Sequence, residues 1–185
     1  MNKKLKVLLY SNNLWMLAEG MLGPLFAVFA QNIGGSVLDI SWAWAIYLMV
    51  TGFLVILFGK ISDHNNWIGR EKIMLMGYLL NATFVISYLF VSKPWHLFLV
   101  QIGLGMSVAL TMPTWNALFA KFEDKNKECS SWGLAGGEAR ITNGIAILIG
   151  GLIVTFLSFK VLFVTMGIIQ IINCIYLSRI LKYKK

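Results

Sequence analysis

The chain has 185 residues, of which 58% are hydrophobic and 13% are charged, and it carries a formal net charge of +8 at pH 7. Because soluble domains contain about 25% charged residues, this composition excludes an ordinary water-soluble domain and indicates an integral membrane protein. The positive charge is interpreted as a signal of membrane topology, so the bilayer is the expected partner and nucleic acid is not.

Apolar segments long enough to cross a bilayer recur along the whole chain. A spanning helix takes roughly 20 predominantly apolar residues, because hydrocarbon offers no partners to backbone N–H and C=O groups. The predicted spans, numbered 1 to 6 in chain order, are about 7–32, 38–60, 71–92, 94–120, 131–159 and 161–181. The sequence therefore predicts an all-α, polytopic membrane protein with residues 1–185 in a single six-helix bundle.

Span 1 carries one carboxylate, Glu19, near its middle. A charge at this depth costs about 2.5–3.5 kcal/mol on insertion scales unless it is paired or hydrated. Four residues of the span share one helical stripe and would present a polar line to a cavity: Asn12, Met16, Glu19 and Gly23. Two interpretations of Glu19 are open. It binds a proton, a cation or a substrate charge, which we favour, or it is a structural carboxyl bonded to a neighbouring helix.

Prolines lie inside two predicted helices, Pro24 in span 1 and Pro113 in span 4. Transporters are often built from inverted repeats whose interrupted helices mark the substrate path. The placement therefore favours a three-plus-three arrangement with spans 1 and 4 lining a cavity, although two tolerated kinks placed by chance are the alternative. The candidate substrate or ion cavity residues are Asn12, Glu19, Gly23, Pro24, Gly105, Pro113 and Asn116.

The connection between spans 2 and 3 reads "GKISDHNNWIGREK" and combines glycines with charges of both signs. A carboxylate beside cationic side chains can form a desolvated network at the membrane face, and an ordinary solvated loop is the alternative. The candidate residues of this network are Gly59, Asp63, Gly69, Arg70 and Lys72.

Span 5 holds an acid and a base, Glu138 and Arg140, near its start. Two residues apart on a helix, they point to different faces and do not form a simple intrahelical pair. We expect either of them to join a network with Asp63 or Arg70. The candidate residues of this span 5 network are Glu138, Arg140, Gly150 and Gly151.

These motifs together resemble the N-terminal six-helix half of the Major Facilitator Superfamily of transporters. "GKISD" followed by "GREK" resembles the signature between helices 2 and 3 of that family, and the resemblance implies that the network in this connection acts as a cytoplasmic latch. Span 4 is similar to a second pattern of the family, Arg-x-x-x-Gly followed by Pro-x-x-x-Ala. It keeps Gly105, Pro113 and Ala117 and has Gln101 in place of the arginine. "NGIAILIGG" in span 5 is similar to a Gly-Pro-x-x-Gly-Gly signature and keeps Gly150 and Gly151.

The resemblance implies secondary active transport of a small solute, by a permease or an exporter, in a bacterial-type inner membrane. Alternating access in the family uses two six-helix bundles, so we expect a second copy or a separate six-helix partner to complete the cavity. A non-transporting scaffold and a fragment of a twelve-helix transporter are the alternatives. No enzyme, cofactor or metal site is expected, because the histidines, His64 and His96, fall on opposite sides of the predicted membrane and catalytic motifs are missing from the sequence.

Lysine and arginine set the predicted orientation, because they collect in cytoplasmic loops. With the N-terminus inside, 13 of the 16 Lys and Arg residues are cytoplasmic. Lys93 and Lys160 face outward, and Arg140 lies within span 5. Both termini are therefore predicted to be cytoplasmic.

Labelling of Cys129 tests this topology, since the residue lies in a predicted cytoplasmic loop. In a Cys174→Ser background, we expect a membrane-impermeant maleimide to modify Cys129 only after the membrane is opened. A Cys129→Ser chain measures background reaction. Ready labelling of intact cells would reverse the topology.

Overall fold

The computed structural model describes residues 3–64 and 69–182, apart from the side chains of Asp63 and His64. The helices are α1 (Lys3–Leu22), α2 (Leu25–Asn32), α3 (Val37–His64), α4 (Arg70–Ser87), α5 (Pro94–Phe122), α6 (Glu128–Phe156) and α7 (Phe159–Leu177). Short 3-10 turns, Tyr88–Phe90 and Ser178–Leu181, extend α4 and α7. Five spans are long and apolar enough to cross a membrane, or six if α1 and α2 count as one bent span. The predicted all-α, polytopic membrane class is confirmed.

The first predicted span is broken between α1 and α2, which meet at an angle of 47°. Pro24 occupies the position before α2. Its ring clashes with the preceding turn of a continuous helix and it has no N–H to donate, so the helix stops and restarts here. Pro113, by contrast, lies within the continuous helix α5. The two intrahelical prolines thus have different effects on their helices.

Helix packing follows a regular pairing. α1 packs against α6 and α7, α5 packs against α3 and α4, and α4 also packs against α7. α5 is the most enclosed of the spans, whereas α3 and α6 are mostly exposed. Exposed apolar side chains such as Phe53 and Leu148 cover these two helices. They suit a surface that meets lipid or another apolar helix, because hydrocarbon imposes no cost on them.

The described interior contains two large apolar clusters and a smaller third one around Phe119. In one cluster, the Phe163 ring stacks on Tyr88 at a centroid distance of 5.1 Å and meets Phe29 edge-on at 4.8 Å. The other large cluster includes Leu8 of α1 and Met74 of α4. Polar side chains lie at intermediate positions on the same helices, and the buried ones include Asn81, Ser107, Gln170 and Asn173.

Close contact between α1 and α6 depends on a glycine. A Cβ atom added at Gly150 would overlap the carbonyl oxygen of Met21 in α1. A Cβ atom at the next residue, Gly151, would meet no atom within 4 Å. Small residues let membrane helices approach to backbone contact, and here only the first of the two adjacent glycines serves that purpose.

The two glycines form a matched pair for a stability test. Gly150→Ala should lower the free energy of unfolding by about 1–3 kcal/mol, the usual cost of overpacking. Gly151→Ala should be neutral or slightly stabilising, because alanine favours helix and the space is open. Thermal unfolding of both variants in one detergent, followed by circular dichroism, measures the difference. Equal stability of the two variants would contradict the packing.

Candidate functional site

Two cavities between the described helices contain predicted site residues. The larger cavity has a volume of about 480 Å³ and is lined by residues of α1, α4, α5 and α6. Its aromatic walls come from three helices, with Trp15 on α1, Trp115 on α5 and Trp132 on α6. The rings of Trp115 and Trp132 meet edge-on with centroids 6.2 Å apart. Small-molecule sites are typically clefts of this size, lined by apolar and aromatic groups with a few polar ones.

The polar lining of the larger cavity includes three neutral amides. Asn12 and Asn116, both predicted cavity residues, line it together with Asn143 of α6. Arg140 also lines the cavity and is exposed. Glu138 has a different environment, since it accepts a hydrogen bond from Asn13 Nδ2 of α1 at 2.9 Å. Of the predicted span 5 network, Glu138 therefore bonds to α1, whereas Arg140 borders the larger cavity.

A smaller cavity of about 70 Å³ contains Glu19 in its wall. The Glu19 Oε1 atom accepts hydrogen bonds from Asn81 Nδ2 at 3.0 Å and from Gln170 Nε2 at 3.5 Å. Asn81 Nδ2 also lies 3.3 Å from Ser107 Oγ. These contacts bring α1, α4, α5 and α7 together around one carboxyl group.

Hydrogen-bond acceptors that lack partners in the described part of the chain belong to the same residues that bond Glu19. The buried oxygens Asn81 Oδ1 and Gln170 Oε1 have no hydrogen-bond partner among the described residues. The described lining of the smaller cavity contains no Lys, Arg or His side chain. An ionised carboxylate without a cation is costly in a membrane interior. The arrangement therefore suits a carboxyl group that takes up a proton, or one that meets a small monovalent cation.

The remaining predicted cavity residues lie around these two sites. Gly23 lines the smaller cavity beside Glu19, and Pro24 lies at the bend that follows it. Gly105 lies at the α3–α5 contact, where an added Cβ would be 3.0 Å from the carbonyl oxygen of Tyr47. Pro113 lies within α5 and is not among the described lining residues of either cavity.

The predicted latch is only partly described. Gly59 lies near the end of α3, and an added Cβ there would meet no atom within 4 Å. Gly69 precedes α4, and Arg70 and Lys72 lie in the first turn of that helix. The side chain of Asp63 and residues 65–68 lie outside the described residues, so the latch stays a prediction.

Sequence reasoning missed most partners of Glu19 and most walls of the larger cavity. Gln170 was the clearest available signal, because it lies within the uncharged stretch 161–178 and a buried amide needs a partner in hydrocarbon. Asn173, three residues on, gives the same signal and accepts a hydrogen bond from Ser11 Oγ at 2.5 Å. The tryptophans of the cavity carry no such signal, since aromatic residues occur throughout these spans.

Comparison with known proteins connects this geometry to a family. The sequence profile of the Major Facilitator Superfamily matches residues 8–185. The chain is 22% identical over 164 residues to Multidrug resistance protein MdtG of Enterobacter lignolyticus, a match covering 86% of this chain and 38% of the relative. It is 27% identical over 101 residues to the protein of that name in Salmonella arizonae, covering 52% and 24% respectively. The chain thus matches less than half of the length of these relatives.

Proposed function

Because the chain belongs to the Major Facilitator Superfamily, we propose that it acts in secondary active transport of a small amphipathic solute across an inner (plasma) membrane. The observation that carries this proposal is the proximity of the two cavities. Val108 of α5 lines both the larger cavity and the smaller cavity that holds Glu19. The site of the carboxyl group and the space for a solute therefore adjoin each other at one shared residue.

Helix pairing supports a three-plus-three arrangement. If the bent span α1–α2 corresponds to α5, α3 to α6 and α4 to α7, each of the five most extensive pairings has a counterpart. The α1–α6 contact corresponds to the α5–α3 contact, the α1–α7 contact to the α5–α4 contact, and α4–α7 to itself. Inverted repeats of this kind place substrate and ion sites near the midplane, where broken helices approach one another.

Glu19 is the proposed coupling residue. When the smaller cavity excludes water, a proton neutralises the carboxyl group and removes the cost of an isolated charge. When the cavity hydrates, the ionised form is stabilised and the proton leaves. Asn81 and Gln170 hold the carboxyl group from α4 and α7, so a change in its protonation alters contacts to two other helices.

A second six-helix bundle is the proposed complement of the larger cavity. Glycines of α3 and α6, such as Gly52, Gly133 and Gly144, have no atom within 4 Å of the position of an added Cβ. Such surfaces allow another helix to approach closely. The connection 59–72 would then contact the second bundle as a latch on the cytoplasmic side. The relatives named for multidrug resistance favour export as the direction of transport.

Replacement of the coupling residue tests the proposal. Inverted inner-membrane vesicles containing the protein should accumulate a fluorescent dye, fluorescein or ethidium, when a proton gradient is imposed. Glu19→Gln should keep the chain inserted but abolish gradient-driven accumulation, because an amide cannot take up and release the coupling proton. Glu128→Gln, at the exposed start of α6, is the matched control and should leave accumulation unchanged.

Two results would contradict the proposal. Accumulation of neither dye above that of vesicles without the chain would argue against transport. Full gradient-driven accumulation by Glu19→Gln would show that Glu19 has a structural role and that a different group couples transport to the gradient.

A further inference from the structure

We infer that the larger cavity selects anionic aromatic amphiphiles and that Arg140 binds the anionic group. This inference rests on the transport function proposed above, and it specifies which class of solute the cavity binds.

Arg140 lies within the membrane-spanning part of α6. It follows the start of span 5 at residue 131 by nine residues, which is about 14 Å at the helical rise of 1.5 Å per residue. A cationic side chain at such a depth is costly unless water or an anion solvates it. The side chain is exposed and borders a cavity of about 480 Å³, so the space that its guanidinium group faces can hold a solute.

The charge of Arg140 is not balanced within the described part of the chain. Arg140 makes no ion pair and no hydrogen bond there, and the described lining of the larger cavity contains no carboxylate. Glu138 is held by Asn13. Glu19, the carboxylate of α1, lines the smaller cavity instead. The larger cavity therefore carries one uncompensated positive charge.

The surroundings of Arg140 match an anion attached to an aromatic body. Guanidinium groups bind carboxylate, sulfonate and phosphate oxygens in a bidentate manner. Asn143, one helical turn further along α6, lines the same cavity and offers amide N–H donors. Trp15, Trp115 and Trp132 supply the apolar wall. Such a cavity discriminates in both directions, because the charge that attracts an anion also repels a cation of the same shape.

The cavity tryptophans allow binding to be measured directly. The probes are three brominated naphthalenes of one shape, which carry a carboxylate, a hydroxymethyl or an aminomethyl group and quench nearby tryptophan fluorescence. Each is titrated into the chain in nanodiscs of zwitterionic lipid, and quenching in nanodiscs with a chain-free tryptophan peptide is subtracted. Variants Arg140→Gln and Arg140→Lys are compared with Arg179→Gln. Arg179 lies over the Tyr176 ring and is not among the described lining residues of the larger cavity.

The inference predicts an order of affinities. The wild-type chain should bind the carboxylate probe about tenfold more tightly than the hydroxymethyl probe, a factor typical of one charge-assisted contact, and should bind the aminomethyl probe most weakly. Arg140→Gln should abolish this order, Arg140→Lys should keep it, and Arg179→Gln should leave it unchanged.

Other outcomes overturn the inference in distinguishable ways. Equal binding of the three probes by the wild-type chain, or an anion preference that survives in Arg140→Gln, contradicts the assignment of solute class but leaves transport standing. Quenching by none of the probes contradicts both the solute class and the use of this cavity. If Arg140→Gln fails to insert, the wild-type and Arg140→Lys titrations decide, since both must show the anion preference.

Discussion

Polar side chains within hydrocarbon have to find partners on other helices, and this requirement organises the bundle. Glu19 of α1 is bonded by Asn81 of α4 and Gln170 of α7. Eight residues earlier in α1, Ser11 donates to Asn173 of α7, which lies three residues after Gln170. Because water is not available there, each group is more stable when its partner helix stays in register. The register of α1 against α4 and α7 thus follows from a few polar contacts.

The same contacts determine where open space remains. α1 is held against α7 by polar groups and against α6 by close approach at Gly150. Bulky tryptophans of α1, α5 and α6 face one another beyond these contacts and leave the larger cavity between them. The smaller cavity lies beside the polar core, with Val108 common to both. Structural polar contacts and the candidate functional groups are therefore parts of one arrangement.

Sequence alone predicts much of the fold and only part of the site. Long apolar runs and the charged connections predict the all-α membrane class, because the requirement for twenty apolar residues is local. Glu19 is recognisable for the same reason, as a charge inside such a run. Its partners Asn81 and Gln170 are not, since the pairing of residues 62 and 151 positions away depends on how helices pack. Pro24 predicts a disturbance of span 1, but the 47° angle depends on packing around the break.

Infrared difference spectroscopy of the chain in lipid tests the central claim, that Glu19 exchanges a proton inside this polar core. The account predicts a carbonyl band of a protonated carboxylic acid that disappears as pH rises, is absent from Glu19→Gln and is shifted by Gln170→Leu. A difference spectrum without such a band, over the pH range in which the chain stays folded, would show that Glu19 keeps one protonation state and would contradict the account.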